Sequence, residues 1–294
     1  MLEKFKANIL FNVLLKRHDI NKAYAMVGPE DSWYDTITTV HNSLAEIQKL
    51  PHENWELTSH DGLKLQAIYY PGSSDKTMIW VHGYTSHAER ESAYPSLFYH
   101  SLGYNVLIPY LRTHGPSEGK YIAFGALEYK DMMLWIDKVN ERHSDGSIVI
   151  HGLSMGAGVV LDLADKEMKN VKCLVSDAPV GDIAGSFRMI CNQVFKRSGD
   201  RVHPFLLQRF QKEFGVNAKD FDRVKNISQG RYPLLLSAGS MENAEELLHT
   251  LQKNNPAETT VLILEGCNHG NGMYKQTGLY QGTIKAFLEK HIGD

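Results

Sequence analysis

Residues 147–158, SIVIHGLSMGAG, join a short apolar run to a serine set between two glycines, and then to a helix-forming stretch. The run SIVIH has the length and β-branched content of a strand buried on both faces. Residues 156–168 read as a helix. Between them, Gly152-x-Ser154-x-Gly156 makes a turn too tight for a side chain at either glycine, because a Cβ there would meet neighbouring backbone. The same tightness forces Ser154 into unusual backbone angles and pushes its hydroxyl clear of the sheet edge. Behind it, the helix N-terminus supplies N–H groups and the positive end of the helix dipole, and the Met155 N–H is placed to face a developing oxyanion. Residue frequencies here give on the order of 0.1 chance occurrences of such a pattern, and the strand-before, helix-after setting is more selective still. The competing reading is a glycine-rich turn that only packs tightly.

Outward from this junction the alternation repeats. Residues 77–82 (TMIWVH), 105–109 (NVLIP), 171–176 (VKCLVS), 232–238 (YPLLLSA) and 260–264 (TVLIL) are further buried-strand runs. A helical stretch follows the polar loop after Gly83 and runs to about residue 102, and others occupy 123–139 and 283–291. Residues 55–59 and 63–70 flank His60-Asp61-Gly62, a hairpin turn. Strands alternating with helices predict an α/β fold with a doubly wound, mostly parallel sheet. The alternation breaks once, after the sixth strand. Residues 178–231 hold no good strand and are too long for a bare loop, so a helical cap is expected there. They carry ten Lys/Arg and five Asp/Glu, a balance of +5, whereas the whole chain stands at −3. The expected organisation is a helical segment at 1–50 packing on a body formed by 51–177 and 232–294, with the cap at 178–231.

The chain has 294 residues, 43% of them hydrophobic, enough for a substantial core. A net charge of −3 argues against a general nucleic-acid binder. Three cysteines, at 173, 191 and 267, have no zinc spacing and leave an odd thiol, so a reducing, cytoplasmic setting is expected. No run approaches the ~18–20 apolar residues that span a bilayer, so no integral membrane association is expected. At the N-terminus, Lys4, Lys6, the run 7–15 and Ala23-Tyr24-Ala25 have some look of a signal peptide. Asn8 and Asn12 interrupt the run, however, and Lys16, Arg17, His18 and Asp19 separate it from the cleavage-like site. Leu2, Phe5, Ile9 and Val13 recur at helical spacing, which predicts an amphipathic helix packing on the body through that face. Gly28-Pro29 breaks the N-terminal segment in two. A membrane-surface helix is the lesser alternative, because the basic face is thin.

Several stretches together resemble the α/β-hydrolase superfamily: SHDGLKLQA at 59–67, His82-Gly83-Tyr84, LRTHGPSEG at 111–119, HGLSMGAG at 151–158 and Gly266-Cys267-Asn268-His269. The resemblance runs from about residue 57 to the C-terminus. It is narrowest towards small bacterial cap-bearing serine hydrolases related to carboxylesterases, monoglyceride lipases and serine aminopeptidases. It implies a triad in the chain order Ser…acid…His, no metal or organic cofactor, and a small-molecule acyl substrate. Residue by residue it is a guide to fold more than to substrate.

A serine hydroxyl needs a base. Of fourteen histidines, His269 follows the last strand in a loop that reaches the carboxyl edge of the sheet, where Ser154 stands. His82 and His114 fall in turns that resemble the family's structural His-Gly turns, and His151 ends a strand. The family's acid follows the strand YPLLLSA in a Gly-x-x-Asp pattern. Here Gly239-Ser240-Met241-Glu242 puts Glu242 in that place. Ala238 stands where the family has His, and the apolar-Pro pair after the acid is missing. Asp177, directly after strand VKCLVS, is the competing acid. The resemblance also implies Tyr84 N–H as the second oxyanion donor beside Met155 N–H.

The function expected is hydrolysis of a small or medium acyl ester through an acyl-enzyme. An aminopeptidase or thioesterase would use the same groups, although such peptidases recognise a free amine through acidic cap residues and this cap is basic. A ligand-binding protein that keeps the fold without turnover is the third reading, supported only by the departures around Glu242. The cap is expected to cover the serine. Its Phe187, Met189, Ile190, Val194, Phe195, Phe205, Leu206, Leu207 and Phe210 either shape an acyl pocket or form the cap's own core. Nothing in the sequence specifies an oligomeric state.

Overall fold

A computed structural model describes residues 1–17 and 33–293; the breaks and cleavage-like residues expected at 18–32 lie outside the described residues. In chain order the elements are α1 (Leu2–Leu15), α2 (Ile37–Ile47), β1 (Glu53–Thr58), β2 (Lys64–Tyr70), β3 (Thr77–Val81), α3 (Ala88–Ser101), β4 (Asn105–Pro109), α4 (Glu128–Arg142), β5 (Ile148–Leu153), α5 (Met155–Leu163) and β6 (Val171–Asp177). They continue with α6 (Ile183–Phe195), α7 (Gly199–Phe214), α8 (Arg223–Asn226), β7 (Leu234–Gly239), α9 (Glu245–Asn254), β8 (Thr259–Leu264), α10 (Gly272–Lys275) and α11 (Thr277–Ile292). The eight strands form one sheet in the order β1-β2-β4-β3-β5-β6-β7-β8.

The sheet is parallel from β4 to β8, and β2 runs antiparallel to both β1 and β4. The strands β3, β4, β5 and β7 are buried throughout, as their unbroken apolar runs require when helices cover both faces. One face packs Trp135, Ile136, Val159 and Leu248 against the sheet; the other packs Tyr99, Tyr280, Ile284 and Leu288. The fold is therefore the expected doubly wound α/β-hydrolase architecture, with a helical insertion after the sixth strand. Among the described residues no helix is long and apolar enough to cross a membrane.

The hairpin at 53–70 forms with Glu53 opposite Tyr69 and Thr58 opposite Lys64. Its turn carries a second duty. Asp61 and the buried Asp131 both accept from Arg112, whose Nε and Nη2 lie 2.7 Å from the Asp131 oxygens. The HDG turn and the LRTHG segment are thus tied to α4 through one guanidinium. Three helix boundaries differ from expectation. The stretch after 123 becomes helical only at Glu128, because Phe124 and Gly125 take positive φ and the Glu128 carboxylate accepts from the N–H groups of Ala123 and Gly125 instead. The helix after Ser154 stops at Leu163, and the last helix starts earlier, at Thr277.

The expected packing face of α1 is also corrected. Ala7, Leu10, Phe11 and Leu15 are buried against α7, whereas Leu2, Phe5, Ile9 and Val13 remain exposed. Both faces are apolar, so spacing alone does not choose between them. The inner face is selected by its partners: the Phe11 ring lies 5.0 Å from Tyr121 and 6.1 Å from Phe214, with the Arg209 guanidinium 4.3 Å from its centre. The same cluster absorbs Phe187, Leu206 and Phe210. The insertion is pinned to the body by Arg223, fully buried, which donates to both oxygens of Asp162 on α5 and to the carbonyls of Val180 and Phe124.

Candidate active site

Ser154 sits between β5 and α5 with φ 58° and ψ −114°. Strain of this kind persists only where the surroundings enforce it. They do so here through the two glycines. A Cβ on Gly152 would stand 2.3 Å from the Gly156 carbonyl oxygen, and one on Gly156 only 1.9 Å from the Val81 carbonyl oxygen. The Ser154 N–H donates to the Asp177 carbonyl at 2.8 Å, which fixes the turn against β6. The hydroxyl is left at the N-terminal end of α5, beside the Met155 backbone.

His269 Nε2 lies 2.8 Å from Ser154 Oγ, and His269 Nδ1 lies 2.5 Å from Glu242 Oε2. Glu242 is itself fixed, since its Oε1 accepts from the Gly239 N–H at 2.6 Å. Its side chain is 8% exposed while that of His269 is 55% exposed. The loops carrying acid and imidazole are laced together: Met241 N–H donates to the Cys267 carbonyl and Gly266 N–H to the Ser240 hydroxyl. A Cβ on Gly239 would lie 2.2 Å from that Cys267 carbonyl, so the approach needs glycine. The Glu242 hydrogen bond holds the His269 pKa above its ordinary value, against the opposing effect of burial. Asp177 is buried and accepts from the Tyr280 hydroxyl at 2.8 Å; burial pushes it up to about 6. The carboxyl that touches the imidazole is Glu242.

The loop after β3 passes next to the serine: a Cβ on Gly83 would be 3.5 Å from Ser154 Cβ. Its shape depends on Glu91 of α3, which no motif or spacing singles out. Both Glu91 oxygens accept from the Gly83 N–H, at 3.0 and 3.1 Å, and Oε1 also accepts from Trp80 Nε1. Burial pushes the Glu91 carboxyl up to about 7. Tyr84 follows, with its hydroxyl donating to the Leu14 carbonyl at the end of α1 and its ring 5.5 Å from Phe124. The other histidines of the motifs are occupied elsewhere. His82 Nδ1 is bonded to the Gly83 carbonyl while its Nε2 accepts from Leu111 N–H. His151 is held between the hydroxyls of Tyr99 and Tyr280, and burial drives its pKa down to about 3.

A cavity of about 370 Å³ opens beside Ser154 and His269. Its walls are Trp33, Ile37, Val40, Leu153 and Tyr274, with His41, Arg90 and Glu91 supplying polar groups. None of the nine apolar residues of the insertion offered as an acyl pocket lines it. Phe187, Leu206 and Phe210 are core, and Met189 and Val194 face solvent. The wall comes instead from α2 and its approach, part of the segment in which the sequence shows no chemistry. Among the described residues no cluster of three or more His, Cys, Asp or Glu is arranged to hold a metal ion.

Comparison with known proteins agrees with this architecture. Over 254 residues the chain is 38% identical to the uncharacterized protein YqkD of Bacillus subtilis, covering 85% of this chain and 83% of that one. A 148-residue stretch is 30% identical to a multifunctional-autoprocessing repeats-in-toxin protein of Vibrio vulnificus, covering 48% of this chain and 3% of that much longer protein. Among solved structures, the Pyrococcus furiosus esterase Pf2001 superposes with a TM-score of 0.65 at 24% identity, over 84% of this chain and 94% of that one. An alpha-beta hydrolase from Vibrio vulnificus does so with a TM-score of 0.64 at 20% identity, over 98% and 94%. At those identities the structures speak for the fold. The family model described as serine aminopeptidase, S33 (Hydrolase_4) matches residues 72–256, and the chain accordingly belongs to that family of α/β hydrolases.

Proposed function

We propose that this protein is a serine hydrolase cleaving small or medium acyl esters through a Ser154–His269–Glu242 triad. The observation that carries the reading is the continuous chain of contacts from Ser154 Oγ through both nitrogens of His269 to Glu242. In the free enzyme Glu242 keeps the His269 proton on Nδ1, so Nε2 can accept the serine proton. Ser154 Oγ then forms a bond to the acyl carbonyl carbon as its proton passes to Nε2. The carbonyl oxygen becomes an oxyanion, held by the N–H groups of Met155 and Tyr84, which would each contribute about 3–4 kcal/mol to the transition state. Collapse breaks the bond to the leaving alcohol, which takes the proton from Nε2. Water enters, gives a proton to the same nitrogen and bonds to the acyl carbon; the bond from that carbon to Ser154 Oγ then breaks, Oγ takes the proton back from Nε2, and the acid leaves.

The cavity volume supports the substrate size, since it stands at the low end of the ~300–1,000 Å³ common for small-molecule sites. The insertion 178–231, together with α1, acts as a helical cap over the body; its side chains fill its own core, and the acyl group rests against α2. The buried, unpaired thiols of Cys173, Cys191 and Cys267 support a cytoplasmic setting. The test is an acyl-ester panel of graded chain length with wild type and Ser154→Ala, alongside labelling by a fluorophosphonate probe. Labelling and turnover that both need Ser154 and His269 are expected; an inert serine would leave a binding protein.

A second reading, amide cleavage by the same groups, draws on the description of the family model. Its test is the same enzyme on aminoacyl anilides, with the ester panel as reference.

A further inference from the structure

Among the described residues the outer face of α1 has no packing partner. Leu2, Phe5, Ile9 and Val13 are 59%, 62%, 49% and 60% exposed, and with Met1 they make up half of the large exposed hydrophobic side chains among the described residues. At 3.6 residues per turn the four fall within one narrow arc, opposite the stripe of Ala7, Leu10, Phe11 and Leu15 that packs on α7. A helix apolar on two opposite sides, with one side bare to water, is a binding face in search of an apolar environment.

The charges around this ridge specify that environment. On one side Lys4 shares a groove with Lys212 of α7. On the other, Lys6 donates to the Ser198 hydroxyl at 3.2 Å, which brings the exposed Lys196 and Arg197 alongside. Glu3, Asp200 and Glu213 are the acids in the same neighbourhood; Asp200 is paired with Arg188 and Glu213 with Arg209. The basic margin that α1 lacks by itself is thus completed by α7 and the turn Lys196–Ser198 that leads into it. It is a local excess on a chain whose net charge is −3. An apolar ridge between basic margins matches the boundary between phosphate headgroups and acyl chains. A second copy meeting this ridge about a two-fold axis would set the basic margins against each other.

We propose that α1 docks the protein on an anionic membrane surface. Leu2, Phe5, Ile9 and Val13 enter the headgroup–acyl boundary, and Lys4, Lys6, Lys196, Arg197 and Lys212 meet lipid phosphates. The helix lies in the plane of the surface and does not cross it. The Leu14 carbonyl receives the Tyr84 hydroxyl, so the docking helix is tied to the loop that passes beside Ser154. The docking does not depend on which bond the enzyme cleaves.

The experiment is co-sedimentation of the full chain with vesicles of phosphatidylcholine alone and with about one quarter phosphatidylglycerol, at low and high salt. Wild type is expected to partition onto the anionic vesicles, less so at high salt, and the double variant Phe5→Glu/Ile9→Glu to lose about tenfold or more of that binding. Both side chains are exposed and outside the site, so the variant should keep the melting temperature and its turnover of a soluble short-chain ester. Separately, Ile9→Trp should show an emission blue shift on adding anionic vesicles, beyond any seen with wild type. Wild type that stays in the supernatant, a double variant that partitions equally, or an Ile9→Trp emission that does not move would each overturn the proposal. So would a wild-type dimer in light scattering that becomes a monomer in the double variant, since the ridge would then belong to a second copy.

Discussion

Of the carboxyls near the His269 ring, Glu242 and Asp177 are the two candidates for its partner, and their surroundings give them different work. Glu242 divides its oxygens between the Gly239 N–H and His269 Nδ1, whereas Asp177 is sunk in the sheet edge and accepts from the Tyr280 hydroxyl. Replacing Glu242 by Gln should lower kcat/KM on an acyl ester by about 10³–10⁴-fold, as expected when the imidazole loses its orienting charge. Asp177→Asn should stay within a few-fold of wild type. The reverse pattern would hand the role to Asp177. The pH profile follows from the same contact. Protonated His269 cannot accept the serine proton, and Glu242 holds its pKa above 6.5. Activity should therefore rise with pH through an inflection above 6.5, and in Glu242→Gln that inflection should move to lower pH; kcat/KM measured from pH 5 to 9 checks both. Ser154, His269 and Glu242 were visible in the sequence because each stands just past a recognisable strand. Glu91 was not: in the segment AERES it looks like any acid in the first turn of a helix. Only the folded chain shows its carboxylate turned inward onto the Gly83 N–H.

At the level of elements, α3 holds the loop that passes beside Ser154, through Glu91. Glu91→Gln keeps the size of the side chain but loses one of the acceptor oxygens, and its amide would face the donors of Gly83 and Trp80. The loop after β3 should then sag, with kcat falling about 10- to 100-fold. A Tyr84 that serves only as pocket wall would show the change in KM instead. Gly239→Ala tests the lacing of β7 to the loop after β8. Its methyl would meet the Cys267 carbonyl, so turnover should fall sharply while the far-UV spectrum stays native. Strands and most helices could be read from periodicity, since buried parallel strands are short and continuous. The packing face of α1 could not. Leu2, Phe5, Ile9 and Val13 have helical spacing as good as that of the inner stripe, and the choice was made by rings far along the chain, Tyr121 and Phe214.

For the molecule as a whole, the insertion after β6 is joined to the body through a buried ion pair. Arg223→Ala would leave the Asp162 carboxylate without its partner at a site where both side chains are almost fully enclosed, which should cost about 3–5 kcal/mol and show as a lower melting temperature. The basic excess counted over residues 178–231 includes this arginine, so part of that charge is structural rather than a solvated face. The alternation of strands and helices was sufficient to read the architecture. The walls of the cavity were beyond it, because they are assembled from segments that sequence order keeps apart.

Those walls have a consequence for selectivity. Trp33, Ile37, Val40 and His41 lie before the stretch that matches the family model, and Tyr274 lies after it. If Ser154 reacts as proposed, enzymes that share its glycine-flanked turn but not these walls would differ in diet, and a reversible inhibitor shaped to the indole and aliphatic side of the cleft would discriminate among enzymes that a serine-directed covalent warhead treats alike.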